Sequence, residues 1–123
     1  MNMLDAILEG LKQCRQNDDG GLVAEFEFPA GSLVFAGHFP GNPVLPGICQ
    51  MEAVRIILEK SLERRCHLLQ FSSAKFFKAV VPGETAVFTV SITPQTGECI
   101  SVTAKVSSNN NKVSEFKASY RLE

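Results

Sequence analysis

The stretch PGICQMEAVRIILEKSLERR, residues 46–65, decides the fold. After its opening Pro-Gly pair it contains neither proline nor glycine, and apolar side chains occupy most sides of a helical projection as far as Leu58. A helix that is apolar nearly all round is a buried helix. The rest of the chain must therefore supply a surface that covers it.

Downstream of Arg65 the pattern changes to strands and stays there. HLLQFSSAKFFKAVV (67–81) reads as one long extended segment closed by a PGE turn. In TAVFTVSIT (85–93), Ala86, Phe88, Val90 and Ile92 alternate with Val87, Thr89 and Ser91, the period of a half-buried strand. CISVTAKVSS (99–108) and KVSEFKASYRL (112–122) follow, separated by PQTGE and SNNN, whose glycine and asparagines suit the positive backbone angles of tight turns. These read as consecutive antiparallel hairpins. Upstream, Leu4, Ile7, Leu8 and Leu11 follow the helical i, i+3, i+4, i+7 spacing, and NDDGG (17–21) stops that segment, so LEGLKQCRQNDDGG (8–21) reads as helix and turn. LVAEFEF (22–28) then places Leu22, Ala24, Phe26 and Phe28 on one face and its two glutamates on the other. The expected architecture is α+β, an antiparallel sheet wrapped around one long central helix, in a single domain over residues 1–123.

Composition removes several classes of function. With hydrophobic residues at 45 % and no segment near the ~20 consecutive apolar residues of a membrane span, the chain reads as soluble. A net charge of −1 offers no electrostatic case for nucleic acid or a membrane surface. The first residues lack a basic start followed by an apolar export signal, so the cytoplasm is the expected location. The four cysteines, Cys14, Cys49, Cys66 and Cys99, have no zinc-site spacing and read as small half-buried side chains; no metal is expected.

The segment GHFPGNPVLPGICQMEAV (37–54) concentrates chemistry. Pro46 and Gly47 precede the helix, whose first turn carries unpaired N–H groups and the positive end of the dipole. Such a turn can hold an oxygen that gains negative charge, or it can be a plain Pro-Gly turn. Glu52 falls early in the helix between Met51 and Ala53. Burial would keep it protonated and make it a general acid; in solvent it would merely complement the dipole. His38 sits in a loop stiffened by Pro40, Pro43 and Pro46, where it is a general base or a satisfied loop histidine. Together a base, an acid and a helix N-terminus supply the parts for removing a proton beside a carbonyl and expelling a leaving group without a cofactor.

GHFPGNPVLPGICQMEA closely resembles the active-site segment of the bacterial 3-hydroxyacyl-acyl carrier protein dehydratases, FabZ/FabA-like hotdog-fold proteins of fatty-acid synthesis. HFPG, PG and a helical acid-alanine pair recur there in this order, and Glu52 follows His38 by the same 14 residues (52 − 38). KFFKAVVPGETAVFTV (75–90) is similar to a second block of that family. The resemblance implies a hotdog dimer, homodimeric or heterodimeric or part of a higher oligomer, with histidine and carboxylate from different subunits at its interface. It implies that His38 removes the C2 proton of a 3-hydroxyacyl thioester and that Glu52 assists loss of the C3 hydroxyl as water, giving a trans-2-enoyl thioester for fatty-acid, polyene or polyketide synthesis. Gly47 N–H would bind the thioester carbonyl, with Phe39, Pro46 and Ile48 against the substrate. The acyl carrier protein is the implied partner, and Lys75 and Lys78, with Arg64 and Arg65, are the candidate docking cations. Two departures stand out: Glu52-Ala53 continues as Val54-Arg55-Ile56 where the family has an alanine and a glutamine, and the family's proline-rich N-terminal strand is replaced. A hotdog acyl thioesterase and a non-catalytic subunit of a heterodimer are the alternative readings.

Overall fold

The computed structural model describes residues 2–37 and 41–123. Its elements run α1 (Met3–Gly10), β1 (Leu11–Gln16), β2 (Leu22–Glu27), a 3₁₀ turn (Leu33–Phe35), α2 (Gly47–Leu62), β3 (Cys66–Phe76), β4 (Thr85–Pro94), β5 (Cys99–Ser108) and β6 (Asn111–Leu122). The six strands form one antiparallel sheet in the order β1-β2-β4-β5-β6-β3. One face packs on α2. Phe26, Phe88, Val90, Val102, Phe116 and Tyr120 point inward from four strands and bury Val54, Ile57 and Leu58 of the helix in a single apolar cluster. This is the helix-in-sheet arrangement that residues 46–65 demand.

The amino-terminal segment differs from its sequence reading. The helix stops at Gly10, and the residues read as its continuation form the edge strand β1, paired with β2 from Leu11↔Phe26 to Gln16↔Leu22. Asn2 and Asp5 start α1 with a reciprocal capping box. Gly10 ends it against the ring of Phe28, where a Cβ would stand 2.1 Å from Cε1. The strand escapes a periodicity search because only Leu11 and Cys14 of LKQCRQ touch the core, while Lys12, Gln13, Arg15 and Gln16 face solvent. A polar edge of this kind also resists pairing with other chains.

The segment expected to extend from 67 to 81 is a strand only to Phe76. Beyond it Phe77 and Lys78 both donate their N–H groups to the Val113 carbonyl, and the chain leaves the ladder. Val80 then returns to the core and its carbonyl accepts Leu45 N–H at 2.8 Å. This contact ties the carboxyl side of β3 to the loop that launches α2. The turns after β4 and β5 follow expectation: Gly97, Asn109 and Asn110 have positive φ.

Candidate active site

Two elements meet at the start of α2. Pro46 is its N-cap in an extended conformation and offers no side-chain cap. The Pro46 carbonyl takes Cys49 N–H and Gln50 N–H, at 3.1 and 3.2 Å. Among the described residues neither Gly47 N–H nor Ile48 N–H meets an acceptor. Two donors at the positive end of a 16-residue helix are thus open to an oxygen atom. A Cβ on residue 47 would lie 2.7 Å from Phe76 Cζ, the tip of a half-exposed ring, so a larger residue there must displace that ring. Phe76 and Phe77, together with Val44 and Pro46, line an open apolar groove of about 520 Å³ beside these donors.

Gln50 holds this first turn in place. It is 2 % exposed, accepts a 2.6 Å hydrogen bond from the Ser114 hydroxyl of β6, and donates through Nε2 to the Leu45 carbonyl at 3.4 Å. The sequence reading assigned no role to Gln50 or Ser114. A glutamine on an otherwise apolar helical face is the signal, because a buried amide demands partners.

Glu52 lies on the side of α2 that the sheet leaves open. Its side chain is 38 % exposed, so the burial expected from the apolar run around it is not found in the single chain. The reason is that α2 is apolar on three sides only: Glu52, Arg55 and Glu59, spaced i, i+3 and i+7, form a polar stripe. Arg55 Nε and Nη2 both donate to Glu52 Oε1, the former at 2.9 Å, and Nη1 donates to Glu59 Oε2 at 2.9 Å. Glu59 Oε2 also accepts the Cys66 N–H of β3 at 2.8 Å. The hydrogen bond to Glu52 raises the Arg55 pKa further. Three buried neighbours feel the same stripe. Burial, then the negative charge of Glu52, pushes the Cys49 thiol up. Burial and then Glu59 push Cys66 up to about 11. Burial, then Cys66 and Glu52, push the Tyr120 hydroxyl up to about 12.

The remaining sequence-derived residues divide by position. His38 and Phe39 fall outside the described residues; Gly37 and Gly41 on either side both have a φ of +77°. Pro46 and Gly47 flank the groove, and Ile48 projects at 70 % exposure from the same turn. Lys78 lines the groove and lies 3.7 Å from Glu84, and Lys112 sits over the Phe77 ring, 5.8 Å from its centroid. Lys75, on β3, stands opposite Glu115. Arg64 and Arg65 are not brought to this mouth. They follow the far end of α2, about 22 Å along its axis, where Arg64 pairs with Glu98 at 2.8 Å and donates to the Glu123 carbonyl at 3.0 Å. Among the described residues no group of three His, Cys, Asp or Glu side chains is arranged to hold a metal, and no helix is long and apolar enough to cross a membrane.

Residues 13–117 match the model of the ApeI-like family, described as ApeI dehydratase. The chain is 31 % identical over 91 residues to the 3-hydroxyacyl-acyl carrier protein dehydratase FabZ of Ehrlichia chaffeensis, an alignment covering 70 % of this chain and 62 % of that protein. It therefore spans less than two thirds of that relative's length. Among solved structures, the dehydratase heterocomplex ApeI:P from Xenorhabdus doucetiae superposes with a TM-score of 0.75 at 18 % identity, covering 90 % of this chain and 96 % of that one. A hypothetical thioesterase with coenzyme A from Streptococcus pneumoniae gives 0.71 at 12 % identity, covering 98 % and 94 %. At these identities the structural likeness is one of fold, and the fold is the hotdog.

Proposed function

Because the chain belongs to the ApeI-like dehydratase family, we propose that it removes water from 3-hydroxyacyl thioesters carried on acyl carrier protein, leaving trans-2-enoyl thioesters. The observation that carries this reading is the open pair of donors at Gly47 and Ile48, set beside an apolar groove and followed within the same helix by the Glu52 carboxyl. In the reaction His38 takes the C2 proton and the thioester carbonyl oxygen gains charge, which Gly47 N–H stabilises. The C3–O bond breaks as the Glu52 carboxyl gives its proton to the hydroxyl, which leaves as water, and the C2 proton held on His38 is then released to restore the acid and base.

The site takes its histidine and its carboxylate from two subunits, and β3 is the strand that joins them. Among the described residues its outer edge has no partner strand, and Leu68, Leu69, Phe76, Phe77 and the nearby Ile48 are all more than 40 % exposed. The opposite edge, β1, is polar instead. A long apolar free edge is a pairing surface, so β3 meets a second hotdog chain, either a copy of this one or a related subunit. The carrier protein approaches the groove past Lys78 and Lys75, its acidic surface attracted by their charge.

Mass spectrometry of a 3-hydroxyacyl carrier protein incubated with the protein tests the reading. Loss of water is expected, and Glu52→Gln and His38→Ala each slow it at least about a hundredfold. Loss of the whole acyl group would establish a thioesterase, and an unchanged substrate a non-catalytic subunit. In the same assay, reversing charge at Lys75 and Lys78 raises KM for the carrier-bound substrate and spares a short N-acetylcysteamine thioester. Equal losses on both substrates would refute the docking role.

A further inference from the structure

We propose that Arg55 is the positioning residue for the Glu52 carboxyl, the last link of a tether that begins on the backbone of β3. This rests on the dehydratase reading of the site and adds a residue to it. The links are consecutive: Cys66 N–H to Glu59 Oε2, Glu59 Oε2 to Arg55 Nη1, and Arg55 Nε and Nη2 to Glu52 Oε1. Each spacing is fixed by the helix, since i, i+3 and i+4 neighbours stand one above another on its surface. The anchor is fixed by the sheet, because Cys66 is 2 % exposed and opens the strand that pairs with β6.

The geometry selects one oxygen of Glu52. Arg55 engages Oε1 twice, while Oε2 has no partner among the described residues and is the atom left to face a substrate. An untethered glutamate samples several rotamers, and ordering it at each encounter carries an entropic cost. Here the planar guanidinium fork has ordered it in advance, a task for which lysine, with a single point of attachment, is a poor substitute. Among the described residues Arg55 hydrogen-bonds only to the two glutamates, and its role needs no contact with the thioester. Its loss should therefore alter turnover far more than binding.

Steady-state kinetics of five variants on a 3-hydroxyacyl thioester test the proposal, with thermal melts run alongside. Arg55→Met is expected to lower kcat about tenfold or more with KM changed less than about twofold, and Arg55→Lys to recover part of the loss. Glu59→Gln, which leaves a neutral acceptor in place of the charged one at the far end of the tether, is expected to lower kcat by a smaller factor. Combined with Glu52→Gln, Arg55→Met is expected to have less than about a twofold effect, because its route to the chemistry is gone. A folded Arg55→Met protein with wild-type kcat would overturn the proposal, as would an equal loss in the Glu52→Gln background. Should Arg55→Met fail to fold, Arg55→Lys and Glu59→Gln carry the test, and wild-type kcat in both overturns it. The dehydratase reading is judged separately, by the parent protein and by Glu52→Gln alone. If Glu52→Gln turns over normally, Glu52 is not the acid, and the positioning role falls with it.

Discussion

Replacing Gln50 by leucine should destabilise the protein by about 2 kcal/mol, although the exchange puts an apolar residue into an apolar environment. Gln50 and Ser114 are each 2 % exposed and satisfy one another through a 2.6 Å hydrogen bond, with the Leu45 carbonyl at 3.4 Å as the second partner of the amide. Leucine strands the Ser114 hydroxyl, and a buried donor left without an acceptor costs about 1–3 kcal/mol, against a net value near 1 kcal/mol for an ordinary intact hydrogen bond. The longer contact to Leu45 adds little. Ser114→Ala should cost a similar amount, since it orphans the amide oxygen instead. The double variant removes both polar ends and should return to within about 1 kcal/mol of the parent, so the two losses do not add. Urea denaturation of the four proteins gives the cycle directly, and each 1 kcal/mol should also appear as a shift of about 3–6 °C in melting temperature for a chain of this length. The reasoning would be refuted by additivity within about 0.5 kcal/mol, which would mean that Gln50 and Ser114 are not each other's principal partners. A loss well below 1 kcal/mol for Gln50→Leu would mean that the first turn of α2 is not held through this amide.

Gly10→Ala should also destabilise, by about 1–3 kcal/mol in a chemical melt, reversing the gain of about 1 kcal/mol that alanine usually brings to a helical glycine. The added methyl would lie 2.1 Å from Phe28, a 2 % exposed ring already stacked on Phe26 and set edge-on to Phe35, so the ring has nowhere to go; a neutral or stabilising substitution would contradict this. Placing a charge on the free sheet edge, with Leu69→Lys, should dissociate the assembly in light scattering and abolish turnover together, because β3 is the proposed joint between subunits. A monomeric parent protein that nevertheless dehydrates its substrate would remove the need for a joint.

Local pattern was enough to specify a helix within residues 46–65, the strands that follow it and the turns between them, because hydrophobic period and turn chemistry are written within a few residues of where they act. It also marked the Pro46-Gly47 turn as one that could hold an oxygen; what folding adds is the Phe76 ring packed where a Cβ on residue 47 would stand. Edge and surface features were less legible. β1 carries almost no apolar alternation, since an edge strand with one wet face needs little of it, and β3 ends early because two of its following N–H groups are captured by Val113, a residue 36 positions away from the first of them. The environment of Glu52 is the sharpest case. Counting apolar neighbours along the helix predicts burial, yet what surrounds a side chain is set by which face the sheet covers, and the sheet leaves the Glu52-Arg55-Glu59 stripe open. The helix spacing that allows the stripe is a property of the chain, but its anchor on Cys66 and the Gln50 bond to Ser114, 64 residues away, exist only because folding brings distant segments within hydrogen-bonding distance. Sequence determined which groups were available for chemistry; tertiary structure decided which of them are held still, because a side chain is ordered by partners that linear spacing does not reveal.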